Sequence, residues 1–498
     1  MSNDETPEPP PPPRKPGPVR KIVTRVRRPD RVHMAVLSQR VPYWFVAGFL
    51  FLFAVFQIEM NPFGFSDLTQ RYTQDIADLL ITGPYFYGTE GRDQVAIALI
   101  DEDTLQQLQT PWPWSYADHA RMLDALRADK PKAVVVDFLF VDSRPDPTLP
   151  LLVDEIQKYK KDGIPLYFEG GLDTPYGESA LRPEFAKTGV RILDPSIPVY
   201  NGVSRQYYIT GNCFGAKPRF EGTCYSNAFT VFADNFPKTP LKHLNGRMEL
   251  VWGTAINPNN AKWLGPACNA HISGFQRVYL AFFDPAAVQN PCPYDTVIPV
   301  VHLMNGDDPQ SDALVTGKIV YYGGNLEGAQ DQSYSPVNGK IASVFVHAMA
   351  LDNLLTYRGR PQQNVMTIQG EVLSNDPAQT LAIVPVILVL TWLHMGRIRR
   401  KRRAAAREGH ERSATFEYFL DKALETVWHW LAFGLALAVG LALTLASGLS
   451  VANWVEVIFV SVELAAMLLV GLPDSVWGYL HHVVAGDPPD ASEGEQAA

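Results

Sequence analysis

Cysteine is scarce in this chain. Its four cysteines, Cys213, Cys224, Cys268 and Cys292, all lie in the middle of 498 residues. Catalytic signatures are missing too: there is no Walker-type phosphate loop, no HExxH, no GxSxG elbow, and no kinase or cyclase core. Gly323-Gly324 follows a strand-like run but reads as a backbone turn and a weak phosphate signal. The chain is therefore read as a non-enzyme, and no cofactor can be named for it. Basic charge is in deficit, with 43 Lys+Arg against 52 Asp+Glu and a formal net charge of -9. An acidic central region makes a poor nucleic-acid binder, so no nucleic-acid partner is expected. No internal repeat is visible, and residues 59–379 hold no apolar run of membrane length.

Outside that stretch, apolar runs are present. They fall at 43–58, 380–396, 427–448 and 451–472, near the ~20 residues that a bilayer-crossing helix needs. Before the first run stand Arg14, Lys15, Arg20, Lys21, Arg25, Arg27, Arg28, Arg31 and Arg40. After the second come Arg397 and Arg399-Arg400-Lys401-Arg402-Arg403. Lys and Arg flanks stay in the cytoplasm, so the loop between these runs is expected outside. A cleaved signal peptide fits less well, because the preceding segment is long and no small-x-small site follows the first run.

The expected layout is a disordered basic cytoplasmic segment (1–42), a span, an extracytoplasmic domain (59–379) and a second span. A basic cytoplasmic segment (397–426), a two-span hairpin and a cytoplasmic tail (473–498) follow. Residues 1–18, with the Pro9–Pro13 run, cannot fold alone. Segment 404–426 is charged and helix-like; it either lies along the inner leaflet or docks a partner. Glu456 and Glu463 share one face of the last span and are the intramembrane polar candidates, for a contact within the bundle or with a partner.

All four cysteines fall in the outer domain, where an even number points to disulfides. Sequential pairing, Cys213–Cys224 and Cys268–Cys292, closes short loops and is the expected one; the other two pairings stay open. A zinc site has no CxxC pair or His-rich cluster behind it, and free buried thiols are the remaining alternative.

The outer domain alternates strand-like and helix-like segments. Gln94–Ile100 and Ala133–Val141 read as buried strands. Between them Ser115–Ala128 reads as an amphipathic helix, opened by a Ser115/Asp118 capping box. This predicts a βαβ unit with parallel strands. Further strands are expected at 165–168, 249–252, 278–283 and 318–322, and helices at 65–81 and 344–355. The fold class expected is an α/β domain, mainly a parallel sheet with flanking helices, plus four transmembrane α-helices.

Two stretches carry a resemblance. VAIALIDEDTLQQLQTPWPW (95–114) with HARMLDALRADKPKAVVVDFLFVD (119–142) resembles the signature of the CHASE2 family of extracytoplasmic sensory domains, found with cyclases and histidine kinases. The matching residues are Ile100, Asp101, Glu102, Trp112, Pro113, Trp114, His119, Ala120, Asp137, Phe140 and Asp142. GKIVYYGGN (317–325), Asp331, Pro336 and VFVHAMALDNLL (344–355) are similar to the family's closing strand, its Asp-Pro loop and its Val-x-x-His-Ala helix. The insert at about 172–293, with the cysteines, departs from the family pattern. So does the lack of an output domain after the last span.

Asp101, Asp137 and Asp142 are expected at the carboxyl ends of two neighbouring parallel strands, the edge where open α/β sheets bind ligands. Together they could hold a cation or an amine; alternatively Asp101 caps the following helix and Asp137 bonds loop amides. Trp112 and Trp114 either stack on a ligand or pin their turn to the core. Asn325, Asp331 and His347 complete the ligand-binding candidates, and His119 and His347 have a packing role as the alternative. No metal ligands and no catalytic residues are assigned. The resemblance implies a sensor in the inner membrane of a bacterium, its large domain in the periplasm. Its expected partners are the lipid bilayer and a signalling protein or further copies of itself, with a small-molecule ligand possible. The alternative is a structural or assembly subunit of an envelope complex.

Overall fold

The computed structural model describes residues 42–60, most of 82–362, most of 366–405 and parts of 434–480. The chain divides into two compact units. One comprises 1–55, 384–436 and 460–498; the other comprises 56–383 and 437–459.

Helix α1 (Tyr43–Met60), which lies in the first unit as far as Val55, buries Val46, Leu50 and Ala54, one residue per turn, and leaves Trp44, Leu52 and Phe56 exposed. Phe45 lies 4.7 Å from Trp477, ring to ring. Helical segment 460–468 buries Val460, Leu464 and Leu468 at the same spacing.

The second unit is built on a sheet. In chain order its first elements are β1 (Val95–Ile100), α2 (Glu102–Leu108), α3 (Tyr116–Ala128), β2 (Ala133–Val136), α4 (Leu149–Asp162), β3 (Leu166–Glu169), α5 (Pro183–Ala186) and β4 (Arg191–Leu193). An excursion follows, with β5 (Gln206–Tyr208), β6 (Thr210–Gly211), β7 (Cys224–Tyr225), α6 (Asn227–Asn235), β8 (Arg247–Glu249) and α7 (Asn260–Leu264). The chain re-enters at β9 (Thr296–Pro299), α8 (Val300–Asn305), α9 (Pro309–Val315) and β10 (Ile319–Gly324). It closes with the hairpin β11 (Gln332–Ser335) and β12 (Gly339–Ala342), then α10 (Ser343–Thr356). A small β13–β14 hairpin (Met366–Ile368, Glu371–Leu373) leads into α11 (Asn375–Ala405).

Six strands form one parallel sheet in the order β4-β3-β2-β10-β1-β9. Its five strands other than the edge strand β4 are buried on both faces, as parallel sheets require. Val95, Ile97, Val135, Tyr167 and Tyr321 turn to a core shared with α6 and α10. Ala96, Ala98, Val134, Phe168 and Tyr322 turn to a second core shared with α3, α4 and α8. The result is a three-layer α/β/α unit. The amphipathic α3 buries Tyr116, His119, Ala120, Leu123 and Leu126 and opens with both bonds of its Ser115/Asp118 box. By contrast α10 is buried from Ser343 to Leu355 on every side, so it runs through the interior.

Several expectations are corrected. β1 and β2 are parallel, but β10 lies between them. An apolar strand covered on both faces belongs at the sheet centre, and β10 reaches it only after the long excursion. β2 ends at Val136; Phe138 and Phe140 leave the ladder to pack against Tyr322, Tyr116 and Phe168. The strand expected at 249–252 is β8, displaced to Arg247–Glu249 and paired antiparallel with β5 outside the main sheet. Segments 65–81 and most of 278–283 lie outside the described residues.

Helices do cover the first two apolar runs, as α1 and part of α11. Among the described residues no helix is long and apolar enough to cross a membrane. The runs at 427–448 and 451–472 lie largely outside the described residues, as does Glu456. The disulfides are Cys213–Cys224 and Cys268–Cys292, with Cα atoms 5.0 and 5.2 Å apart, the sequential pairing expected.

Candidate functional site

Acidic residues close four strands of the sheet. Asp101 follows β1, Asp137 follows β2, Glu169 ends β3 and Asp194 follows β4. Because the strands are parallel, all four stand on the same carboxyl rim. Two of them are consumed locally. Asp101 caps α2 by accepting the Thr104 N–H at 2.8 Å. Asp194 accepts the Ser196 N–H at 2.8 Å and the side-chain amide of Asn212 at 2.8 Å.

Asp137 and Glu169 instead turn inward and meet His347 from the second turn of α10. One donor atom from each lies within 4.8 Å of the other two, and all three residues are buried. His347 Nε2 is 3.2 Å from Glu169 Oε1 but outside hydrogen-bond geometry. Both Nε2 and Asp137 Oδ1 lack a hydrogen-bond partner.

Each member is held from behind. Tyr207 OH bonds His347 Nδ1 at 2.5 Å. Asn227 Nδ2 donates to Glu169 Oε1 at 2.7 Å, and Asn227 Oδ1 accepts from Tyr321 OH at 3.3 Å. Ser343 Oγ donates to Asp137 Oδ2 at 3.2 Å, and the same hydroxyl lies against the exposed carboxylate of Asp331. Ser343 is the first residue of α10, so the positive dipole end of that helix adjoins Asp137.

Burial dominates the electrostatics. Burial first, then the Glu169 and Asp331 charges, hold the Asp137 carboxyl well above the usual range. Burial pushes Glu169 up to about 8 and pushes His347 down to about 3, so its imidazole is neutral. No lysine or arginine counts among the groups that shift these three. Among the described residues, two carboxyl groups and a neutral imidazole thus converge with no lysine or arginine among the groups that shift them. Such a set can share protons or accept a cation.

The structure brings Asp137, His347 and Asp331 together and leaves the other candidates elsewhere. Trp114 is buried, and its carbonyl accepts from Arg144 Nη2 at 2.5 Å. It packs 5.8 Å from His119, on the α3 face of the sheet. Trp112 is 39% exposed and packs on Phe138 at 5.6 Å. Asn325 is exposed, and its N–H bonds Ile100 O at 2.8 Å. Asp142 lies outside the described residues. Glu463 sits half-buried in segment 460–468. Glu169 was missed because the expected strand stopped at Phe168. The available signal was an acidic residue directly after a short apolar strand, as at Asp101 and Asp137.

The profile of the CHASE2 domain matches residues 43–392, most of the described chain. No curated protein and no solved structure matches. The chain belongs to the CHASE2 domain family, a family of extracytoplasmic sensory domains.

Proposed function

We propose, from that membership, that this protein is a membrane-anchored extracytoplasmic sensor that signals through a partner protein. The family match over 43–392 carries the reading. The two disulfides support it, because such bonds persist in oxidising compartments. Anchoring is supported by the four apolar runs with their basic flanks. The exposed Trp44, Leu52 and Phe56 of α1 and Leu388 and Trp392 of α11 are apolar surface of the kind that lipid or protein covers. The proposal assigns the output to a partner protein, reached through lateral contact in the bacterial inner membrane. Sensing requires two states that a ligand distinguishes energetically. The rim holding Asp137 and Glu169 is the place assigned to the ligand, because it is the edge at which open parallel sheets bind.

A reporter enzyme that works only outside the cytoplasm, fused between residues 172 and 180, is expected to be active. Reporters fused at 410 are expected to be silent. Activity at 410 and silence between 172 and 180 would overturn the topology. Mild-detergent purification is expected to bring down a kinase or cyclase; a fixed complex of envelope proteins alone would favour an assembly subunit.

A further inference from the structure

The geometry points to a bound divalent transition-metal ion, Zn²⁺ fitting best, held by Asp137, Glu169 and His347. The inference stands on this cluster alone and is independent of a sensory role.

Two unpartnered polar atoms, Asp137 Oδ1 and His347 Nε2, belong to side chains at least nine-tenths buried and are turned into one space. Buried polar atoms without partners are costly, and those in a native fold call for a missing neighbour. A proton can relieve a carboxyl pair, but it leaves the imidazole Nε2 unused. A cation engages all three at once.

The surrounding shell has the pattern that metal ligands share: each is oriented by a hydrogen bond to its far side. Tyr207 holds Nδ1 of His347 and so turns Nε2 inward. Asn227 holds Glu169, and Ser343 holds Asp137.

The donor chemistry selects the ion. One imidazole with two carboxylates suits first-row ions such as Zn²⁺ and Mn²⁺, whereas Mg²⁺ and Ca²⁺ take oxygen ligands. Ligand atoms on one Zn²⁺ sit about 2 Å from it. Closing a set now within 4.8 Å therefore takes side-chain shifts of about half an ångström. Two carboxylates balance the ion's charge, and three protein ligands leave one position of a tetrahedral ion open. The exposed Asp331 brings a further carboxylate to the same Ser343 hydroxyl.

The test uses the full chain in mild detergent, stripped with EDTA, desalted and titrated with ZnCl₂, MnCl₂ or MgCl₂. Bound metal is read by mass spectrometry and stability by thermal midpoint. Folded wild type is expected to take up one Zn²⁺ per chain and to melt higher, with no response to Mg²⁺. Glu169→Gln keeps the acceptor for Asn227, and His347→Gln keeps a polar side chain. Each is expected to bind Zn²⁺ at least about tenfold more weakly. A folded wild type that takes up neither Zn²⁺ nor Mn²⁺ overturns the inference, as do variants that retain wild-type uptake. If a variant does not fold, X-ray absorption on zinc-loaded wild type decides. A first shell with one imidazole nitrogen and otherwise oxygen supports the site; a shell with sulfur or several imidazoles overturns it.

Discussion

Gly323 and Asp137 approach so closely that a Cβ on Gly323 would lie 3.0 Å from Asp137 Oδ2 and 2.8 Å from Val344 Cβ. The missing side chain lets β10, the β2 rim and the first turn of α10 meet at one point. Gly323→Ala forces α10 away from the carboxylates. Overpacking of this kind costs about 1–3 kcal/mol, measurable by denaturant titration. A glycine that merely loosens the strand would instead give an unchanged or raised midpoint on substitution.

Arg127 Nε donates to Glu155 Oε1 at 2.6 Å and ties α3 to α4. Glu155 is 2% exposed, and its remaining cation is Lys158 at 2.8 Å. Arg127→Ala leaves a buried carboxylate half-compensated and is expected to cost about 2 kcal/mol. Asp124→Ala removes one of two exposed partners of the same arginine, Asp162 being the other, and its expected cost is below about 1 kcal/mol. Equal losses in the two variants would show that Glu155 does not depend on Arg127.

The two disulfides close loops with sequence separations of 11 and 24 residues. Loop-closure entropy gives each about 3 kcal/mol. Replacing Cys268 and Cys292 together with alanine is expected to lower stability by roughly that amount. Native, unreduced protein is expected to take no label from a maleimide under denaturing conditions, and four labels after reduction.

Asp352 and Asp295 face each other deep in the second unit, with the Tyr87 hydroxyl bonded to Asp352. Burial pushes Asp295 up to about 6. Burial and the Asp295 charge hold Asp352 well above the usual carboxylate range. The folded protein therefore keeps protons that the unfolded chain has released, and stability falls as pH rises. The loss begins above the ordinary carboxylate value near 4 and extends through about 6 and beyond. Asp352→Asn removes one of the two titrations. Its stability relative to wild type is expected to rise from pH 4 to pH 8; a flat difference would show that the pair does not hold protons on folding.

Much of the second unit was legible because local signals and burial agreed. VAIALI, the Ser115/Asp118 box, the GKIVYYGG run and the apolar helix after Ala342 stand where their patterns place them. Adjacency was not legible. Nothing local in β10 tells that it returns between β1 and β2, since an apolar strand fits any fully covered position. Asp137 and His347 could be named from the family signature, but not their meeting. That depends on α10 packing against the sheet with Ser343 at the rim and on Glu169, hidden at the end of a four-residue strand. Asp101 was named for the same rim and is occupied by the α2 amides instead.

Neighbouring residues of β10 serve opposite layers. Tyr321 reaches Asn227 behind the carboxylates, and Tyr322 reaches His119 beneath the tryptophan turn at 2.9 Å. A slip of one position along this central strand would exchange the two phenols and strand both hydroxyls in the wrong layer. The pairing is thereby locked in phase, and any displacement of the strand has to be felt above and below the sheet together.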